Sequence, residues 1–461
     1  MAEQGTFDTA QSKDLDLGQL TRIMQDLGAN SIYVKKLAPN DNSKNQPYFG
    51  SHLTDLPFIP TGDIVASDSD SKKKADKRKI KYQASLDLAW VDADGTTYKA
   101  PHAKLIYYPQ YPEVRFSGFL RGSKVSASEW MSPDKQGRCE GRWLVFGVTT
   151  NQTIYAYLVT PECNLSRELE TIDFIEISTV FRQPDTRHVG QGQSTRDTLC
   201  QKLLDIHQMG WIPSQKLGTD MVAKSYKAPN GGGYTLESML GVSPNGVAEP
   251  DYLGYEVKQF GVTRFPRTGS KPTTLMTPEP NGGYYISAGA MEFVRNYGYA
   301  DRSGKPDRLN IGGKHIVGKP QNLTKLTMRL IGFDAVTASI TDASGSIALL
   351  DDAGTVAASW SFAKFMDHWK RKHAKAVYIP CIRRTQQGVP EYFYGKDVEL
   401  GIGTSFEMIL RAMSMGAVYY DPGIKLEKVS SDKPKLKRRS QFRVNHKHLD
   451  TLYTQYEFLD L

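Results

Sequence analysis

The run Gly231-Gly232-Gly233-Tyr234-Thr235-Leu236-Glu237, followed by Pro250-Asp251-Tyr252-Leu253-Gly254-Tyr255-Glu256-Val257-Lys258, decides how this chain is read. The second stretch has the character of a strand from Tyr252 to Phe260. Successive strand side chains alternate faces, so Glu256 and Lys258 point the same way with apolar Val257 behind them. Asp251 falls just before that strand or in a preceding one, where its carboxylate can stand beside Glu256. Two carboxylates sharing a hard divalent cation, with an ammonium close by, suit hydrolysis of a phosphodiester. Their oxygens fit Mg²⁺, which keeps several of its waters. Such an ion lowers the pKa of bound water and neutralises charge on the pentacovalent phosphate. Lys258 either orients or deprotonates the attacking water, or stabilises transition-state charge. An ordinary Glu and Lys on a solvated strand edge would give the same letters, so the surroundings carry the weight.

Outward from this stretch, Thr195 to Met209 has an amphipathic helical pattern that stops at Gly210. Later segments alternate: a short helix over Leu236–Gly241, a mixed segment over Ser287–Tyr297 and a strand over Leu326–Phe333. A helix over Trp360–Ala374, a strand over Ala376–Pro380 and a helix over Ser405–Gly416 complete the alternation. Residues 195–461 are expected to form an α/β domain with a mixed sheet flanked by helices. Before them, residues 1–185 read as a β-rich N-terminal domain, and 186–194 as a linker. In that first domain a helix is expected around Leu17–Leu27, and the Asp94-Gly95 pair marks a hairpin. Arg142–Val148 and Thr153–Val159 read as two strands.

The sequence has 461 residues, a net charge of +8 and 39% hydrophobic residues, which excludes a chain disordered throughout. No apolar run reaches the length of a membrane span, and the first residues lack a signal peptide's pattern. Cys139, Cys163, Cys200 and Cys381 share no metal-knuckle or redox spacing. Free thiols and a cytoplasmic location are the expectation. A charge of +8 permits a polyanionic partner without requiring one.

The order of segments adds to the motif. Met209-Gly210-Trp211-Ile212-Pro213-Ser214, Gly233 to Glu237, Gly241-Val242-Ser243-Pro244-Asn245 and Pro250 to Lys258 follow one another. Thr268–Gly283, Gly403-Thr404-Ser405-Phe406-Glu407 and Arg438–Asn445 come later. Together they resemble the MvaI/BcnI family of restriction endonucleases, PD-(D/E)xK nucleases close to the mismatch-repair nickase MutH, over about residues 195–461. The resemblance implies a MutH-like nuclease core in which Asp251 and Glu256 hold Mg²⁺ and Lys258 is the catalytic lysine. It adds Glu237 as a further acidic residue that orients a ligand, a water or Lys258. It also implies cleavage of double-stranded DNA to 5′-phosphate and 3′-hydroxyl ends, by a monomer acting on one strand at a time. Bacterial restriction or phage defence, with a DNA methyltransferase encoded nearby, is the setting it suggests. A MutH-like repair nickase needing partner proteins and a non-catalytic DNA-binding protein are the two alternatives.

Specific cleavage needs phosphate contacts and base readers. Lys425–Lys447 carries nine basic residues against Glu427 and Asp432, interleaved with Gln441, Asn445, His446 and His448. Arg438, Arg439, Arg443, His446 and Lys447 are expected to contact DNA there, with Arg439 and Arg443 as base readers. Arg383 and Arg384, after the expected strand, are placed at phosphate. The cations at Trp369–His373 are explained equally well by the helix dipole. His207 is expected in the core, and His315 in a glycine-rich loop, either at DNA or in solvent. Arg264–Gly283 is expected to lack regular structure and to line the DNA cleft. In the first domain, Lys72–Lys81 and the aromatics Tyr107, Tyr108, Tyr111, Phe116 and Phe119 suggest a second DNA reader. A protein-interaction or effector module is the competing assignment.

Overall fold

In the computed structural model the described residues are all except 1–6, 8, 40–44, 68–79, 126, 185–194, 244–250 and 267–270. The chain divides into two compact units, Met1–Ser194 and Thr195–Leu461. Among the described residues no helix is long and apolar enough to cross a membrane. The expected linker 186–194 and most of the basic run Lys72–Lys81 lie outside the described residues.

The first unit is β-rich. Helix α1 (Leu17–Asp26) is started by Asp16, whose side chain accepts from the Gln19 backbone N–H while Gln19 reaches back, a reciprocal cap. Its buried Leu17, Leu20 and Met24 recur at helical spacing. Strands β1 (Ala29–Lys36), β2 (Trp143–Thr149) and β3 (Ile154–Val159) form the middle of a seven-stranded sheet. The Asp94-Gly95 hairpin is present, joining Leu88–Val91 to Thr97–Lys99. A second, five-stranded sheet contributes Phe49 and Phe116, whose rings meet Phe146 of β2. Tyr107, Phe116 and Phe119 are buried in this aromatic core, which corrects their reading as base contacts; Tyr111 alone of that set is exposed. Alternation along the strand Glu113–Ser117 points Val114 and Phe116 inward, and Arg115 between them faces the other way.

The second unit is a mixed α/β fold. Helices α2 (Thr195–Gln208) and α3 (Gly231–Met239) and strands β4 (Glu256–Gly261), β5 (Lys375–Gln386), β6 (Val389–Tyr394) and β7 (Asp397–Ile402) build its centre, with α4 (Phe362–Lys372) leading into β5 and β8 (Gln455–Asp460) at one edge. β4 runs parallel to β5, in register Glu256↔Ala376 and Lys258↔Tyr378, while β6 and β7 pair with β5 antiparallel. One core holds Leu199, Leu203 and Ile206 from α2, Leu236 from α3 and Leu240 at its end, and Val257, Val377 and Ile379 from the sheet. Burying these apolar faces supplies the main driving force for the layer.

Two local readings are corrected. Tyr252 to Phe260 is not one strand. Tyr252 and Tyr255 bond to each other through both backbone pairs, and Leu253 and Gly254 have φ of 50° and 81°. That is a two-residue hairpin turn of the type that needs two left-handed residues, so β4 begins only at Glu256. Arg264–Gly283 does contain a strand: Thr273–Met276 pairs antiparallel with Phe442–Val444. The β-branched and apolar Thr-Thr-Leu-Met core of that segment overrides the flanking prolines.

Candidate active site

The glycines that open α3 set its distance from the sheet. A Cβ on Gly231 would lie 2.4 Å from Ser214 Oγ and 2.9 Å from Tyr392 Oη, and one on Gly232 would crowd Gln259 and Tyr392. The Tyr394 hydroxyl donates to the Gly232 carbonyl at 2.7 Å, and Thr235 Oγ1 accepts from Gln215 N at 3.0 Å. These bonds fix the helix that carries Glu237. Leu236 on the same helix is in the core, and Glu237 is half-buried.

The hairpin turn at Leu253-Gly254 brings Asp251 back alongside β4, where Asp251 Oδ2 accepts from the Val257 backbone N–H at 2.9 Å. Glu256 is fully buried, and Lys258 donates to its Oε1. Lys372, at the C-terminal end of α4, lies 3.6 Å from the same oxygen. The other oxygen, Oε2, is buried and, among the described residues, has no hydrogen-bond partner. An anionic oxygen left dry and unbonded is costly, so this atom is the strongest single sign of a missing cationic ligand.

Electrostatics bind the group together. Burial pushes the Glu237 carboxyl up to about 7, reinforced by Asp251. Burial, and then the Glu256 charge, also raise Asp251. Burial disfavours the Lys258 ammonium, but Glu256, Asp251 and Glu237 outweigh it and hold its pKa above the ordinary lysine value. Lys258 is therefore a cation at neutral pH, which favours charge stabilisation over proton abstraction among its candidate roles. His373, next along the chain from Lys372, is fully buried and donates to the Leu275 carbonyl at 3.1 Å. Burial and then the Lys258 charge lower it to about 3, so it stays neutral.

Glu237, Asp251, Glu256 and Lys258, 21 residues apart at the extremes, thus form one electrostatically coupled group. Lys372 was missed in the sequence. It was counted with the helix-end cations, and only the parallel register Glu256↔Ala376, four residues beyond it, carries it to the carboxylate. Among the described residues no three His, Cys, Asp or Glu side chains are gathered as a metal cage. Two carboxylates with one orphaned oxygen fit Mg²⁺ all the same, because that ion takes one or two carboxylates and fills its shell with water and phosphate.

The DNA-contact residues separate into two groups. Arg438, Arg439 and Lys447 are exposed, and so is Arg383 near the far end of β5. Arg384 is exposed too, but its Nε donates to Glu391 at 2.6 Å and its guanidinium lies 4.1 Å above the Trp211 ring. The expectation fails for His446. It is buried, with Nε2 2.9 Å from Glu399 Oε1 and Nδ1 3.2 Å from Thr273 Oγ1, and so reaches no DNA surface. Arg443 is held by Asp421 at 2.9 Å and the Pro272 carbonyl at 2.8 Å, so its fork is spent inside the protein rather than on a base. His315 is also fully buried, 2.9 Å from Thr324 Oγ1, against its placement at DNA or in solvent. His207 is half-buried rather than in the core, stacked on Phe393 with Nδ1 2.7 Å from the Tyr394 carbonyl.

Comparison with known proteins places this geometry in context. Residues 200–453 match the model of the MvaI/BcnI restriction endonuclease family. Among solved structures, the restriction endonuclease MvaI in complex with its cognate DNA substrate is similar at 16% identity and a TM-score of 0.43. That match covers 58% of this chain and 99% of the other. MvaI in the absence of DNA matches at 16% identity and a TM-score of 0.32, covering 59% and 99%. No curated protein matches the chain.

Proposed function

This chain belongs to the MvaI/BcnI restriction endonuclease family, and on that premise we propose that it is a Mg²⁺-dependent endonuclease that hydrolyses DNA at specific sites, leaving 5′-phosphate and 3′-hydroxyl ends, in bacterial restriction or phage defence. The family membership itself makes it a sequence-specific DNA endonuclease; the metal, the products and the biological role are the proposal. The observation that carries it is the buried, unbonded Oε2 of Glu256 beside Asp251 and two lysines.

Asp251 and Glu256 are the residues that would hold Mg²⁺, which when bound supplies positive charge and an acidified water at the scissile phosphate. The chain's own groups do the rest. Lys258 and Lys372 hold the Glu256 carboxylate from one side and place ammonium charge where a phosphate gains negative charge. The Val257 N–H fixes the Asp251 carboxylate, so neither acid needs to reorganise as the substrate arrives. Glu237, with its raised pKa, holds or releases a proton near neutral pH beside these groups. Arg383, Arg438 and Lys447 are assigned to the phosphate backbone, and exposed Arg439 to a base edge. Action as a monomer in the cytoplasm and a DNA methyltransferase encoded nearby complete this reading.

Plasmid digestion tests it. Wild-type protein with Mg²⁺ should yield discrete fragments with 5′-phosphate ends. Asp251→Asn, Glu256→Gln and Lys258→Ala should each cut at least about a thousandfold more slowly while still shifting duplex DNA, as expected when charge stabilisation at the reacting atoms is lost. Absence of Mg²⁺-dependent cleavage on methylated and unmethylated plasmids alike would overturn the proposal.

A further inference from the structure

The first unit contains a cavity of about 710 Å³ whose walls carry an excess of one charge. Lys35, Lys36, Arg115, Arg142 and Arg182 line it together with the ring of Tyr48, and no Asp or Glu is among its described lining residues. The outer cations are matched: Lys36 pairs with Glu170, Arg115 with Glu113 and Arg182 with Glu176. The inner two are not. Arg142, 1% exposed, is held by the carbonyls of Cys139, Trp130 and Ala38 at 2.6–2.9 Å, neutral acceptors that engage each of its three nitrogens once and leave its charge. Lys35, 7% exposed, donates among the described residues only to the Lys36 carbonyl at 3.3 Å. Burial alone draws its pKa down to about 8, so at neutral pH it remains mostly cationic.

Two buried cations in one cavity without a carboxylate between them are expensive unless an anion completes the site. The volume is far larger than a phosphate ion needs and falls in the range of sites for small organic ligands. Leu37, Val180 and Tyr48 give it apolar and aromatic walls. Arg115 lies over the Tyr48 ring at 5.5 Å, so cation and aromatic surface already adjoin. Planar bases stack on aromatic and guanidinium faces, and fork-shaped guanidinium groups suit phosphate oxygens.

We propose that this cavity binds a nucleotide, with Lys35, Arg115 and Arg182 on its phosphate and Tyr48 beside its base. The nucleotide comes either free from solution or as one unit of a DNA strand turned out of its stack, since both present the same phosphate and base. The site stands apart from the cleavage reading, and its test does not use cleavage as a readout.

Full-length protein without Mg²⁺ is titrated calorimetrically with dCMP, with uncharged cytidine and with inorganic phosphate. A fluorescence titration uses a 30-base-pair duplex carrying 2-aminopurine. Lys35→Gln and Arg182→Gln are compared with Lys99→Gln, an exposed lysine outside the cavity. For a free nucleotide, dCMP binds wild type, cytidine binds at least about tenfold more weakly, and both cavity variants lose at least about tenfold, the scale of a charge-assisted hydrogen bond. For a nucleotide within DNA, dCMP does not saturate, the duplex signal rises on binding wild type, and both cavity variants weaken that rise by a similar factor. If both cavity variants bind every probe as Lys99→Gln does, or if none binds wild type, the inference is wrong. Should Lys35→Gln fail to fold, Arg182→Gln on the exposed strand end keeps the comparison decisive.

Discussion

Glu237 shows how much one buried proton can report. Its carboxyl is pushed up to about 7, first by burial and then by Asp251. In the unfolded chain the same group titrates near the ordinary glutamate value, so between about pH 4.5 and 7 the folded state binds more protons than the unfolded one. Stability linked to this group therefore falls as pH rises through that window, and the full penalty is present above it. Glu237→Gln removes the penalty. Metal-free Glu237→Gln protein should be more stable than wild type by about 2 kcal/mol at pH 8 and equal to it near pH 4, by urea denaturation in EDTA. The same variant should cleave poorly. Equal stability at both pH values would show that the three carboxylates do not share charge as described. Much of this cluster was legible as letters: Asp251, Glu256 and Lys258, taken with the order of segments around them, point to a metal and a phosphate, although the spacing by itself also fits a solvated strand edge. Its burial was not, because one-residue alternation says which way a side chain points and nothing about what lies above it. His446 failed for the converse reason. Its basic neighbours suggested a surface, but Glu399 and Thr273, far away in sequence, close over it.

At the scale of elements, the site depends on how closely α3 and the hairpin approach the sheet. The Gly231-Gly232 pair permits contact that any side chain would block, so the glycines are there for proximity at the expense of helix propensity. Gly231→Ala places a Cβ within 2.4 Å of Ser214 Oγ and 2.9 Å of Tyr392 Oη, groups on a buried strand and its neighbour that have little room to yield. The helix must shift outward. The expected loss is about 1–3 kcal/mol in urea unfolding, with a fall in kcat larger than any change in KM, because Glu237 moves with the helix. Unchanged stability with full activity would mean that the glycines are incidental. Helix existence was clear from periodicity for α2, α4 and the helix Phe406–Ser414, whose stripes repeat over two or more turns. The reversal at Leu253 was hidden. Leu-Gly is not among the usual turn pairs, and Leu253 takes a left-handed conformation that its residue type disfavours. Lys372 was hidden by non-local pairing: no local pattern tells that β4 lies parallel to β5.

Across the whole molecule, chemistry and cation-lined cavity belong to different compact units. All three carboxylates and both lysines of the candidate site come from Thr195–Leu461, and the family match at 200–453 falls inside it. That unit also has its own apolar core, in which α2, α3 and the mixed sheet bury one another without help from earlier residues. A fragment of residues 195–461 should therefore fold cooperatively and cut plasmid DNA at the same positions as the full chain, with a rate within about tenfold, or about 1.4 kcal/mol. Circular dichroism establishes that it is folded, and sequencing of fragment ends compares the cut positions. A folded fragment that cuts nothing would make the first unit part of the cleavage machinery. A fragment that cuts at more positions than the full chain would instead assign the first unit to choosing sites. Net charge distinguishes none of these outcomes, because +8 spread over 461 residues says nothing about which unit grips the backbone. The salt dependence of binding does: each phosphate contact made by Arg383, Arg438 or Lys447 adds about 0.9 to the slope of log affinity against log salt. If these three account for the grip, the fragment and the full chain should share that slope, and neutralising all three should lower it by about 2 to 3.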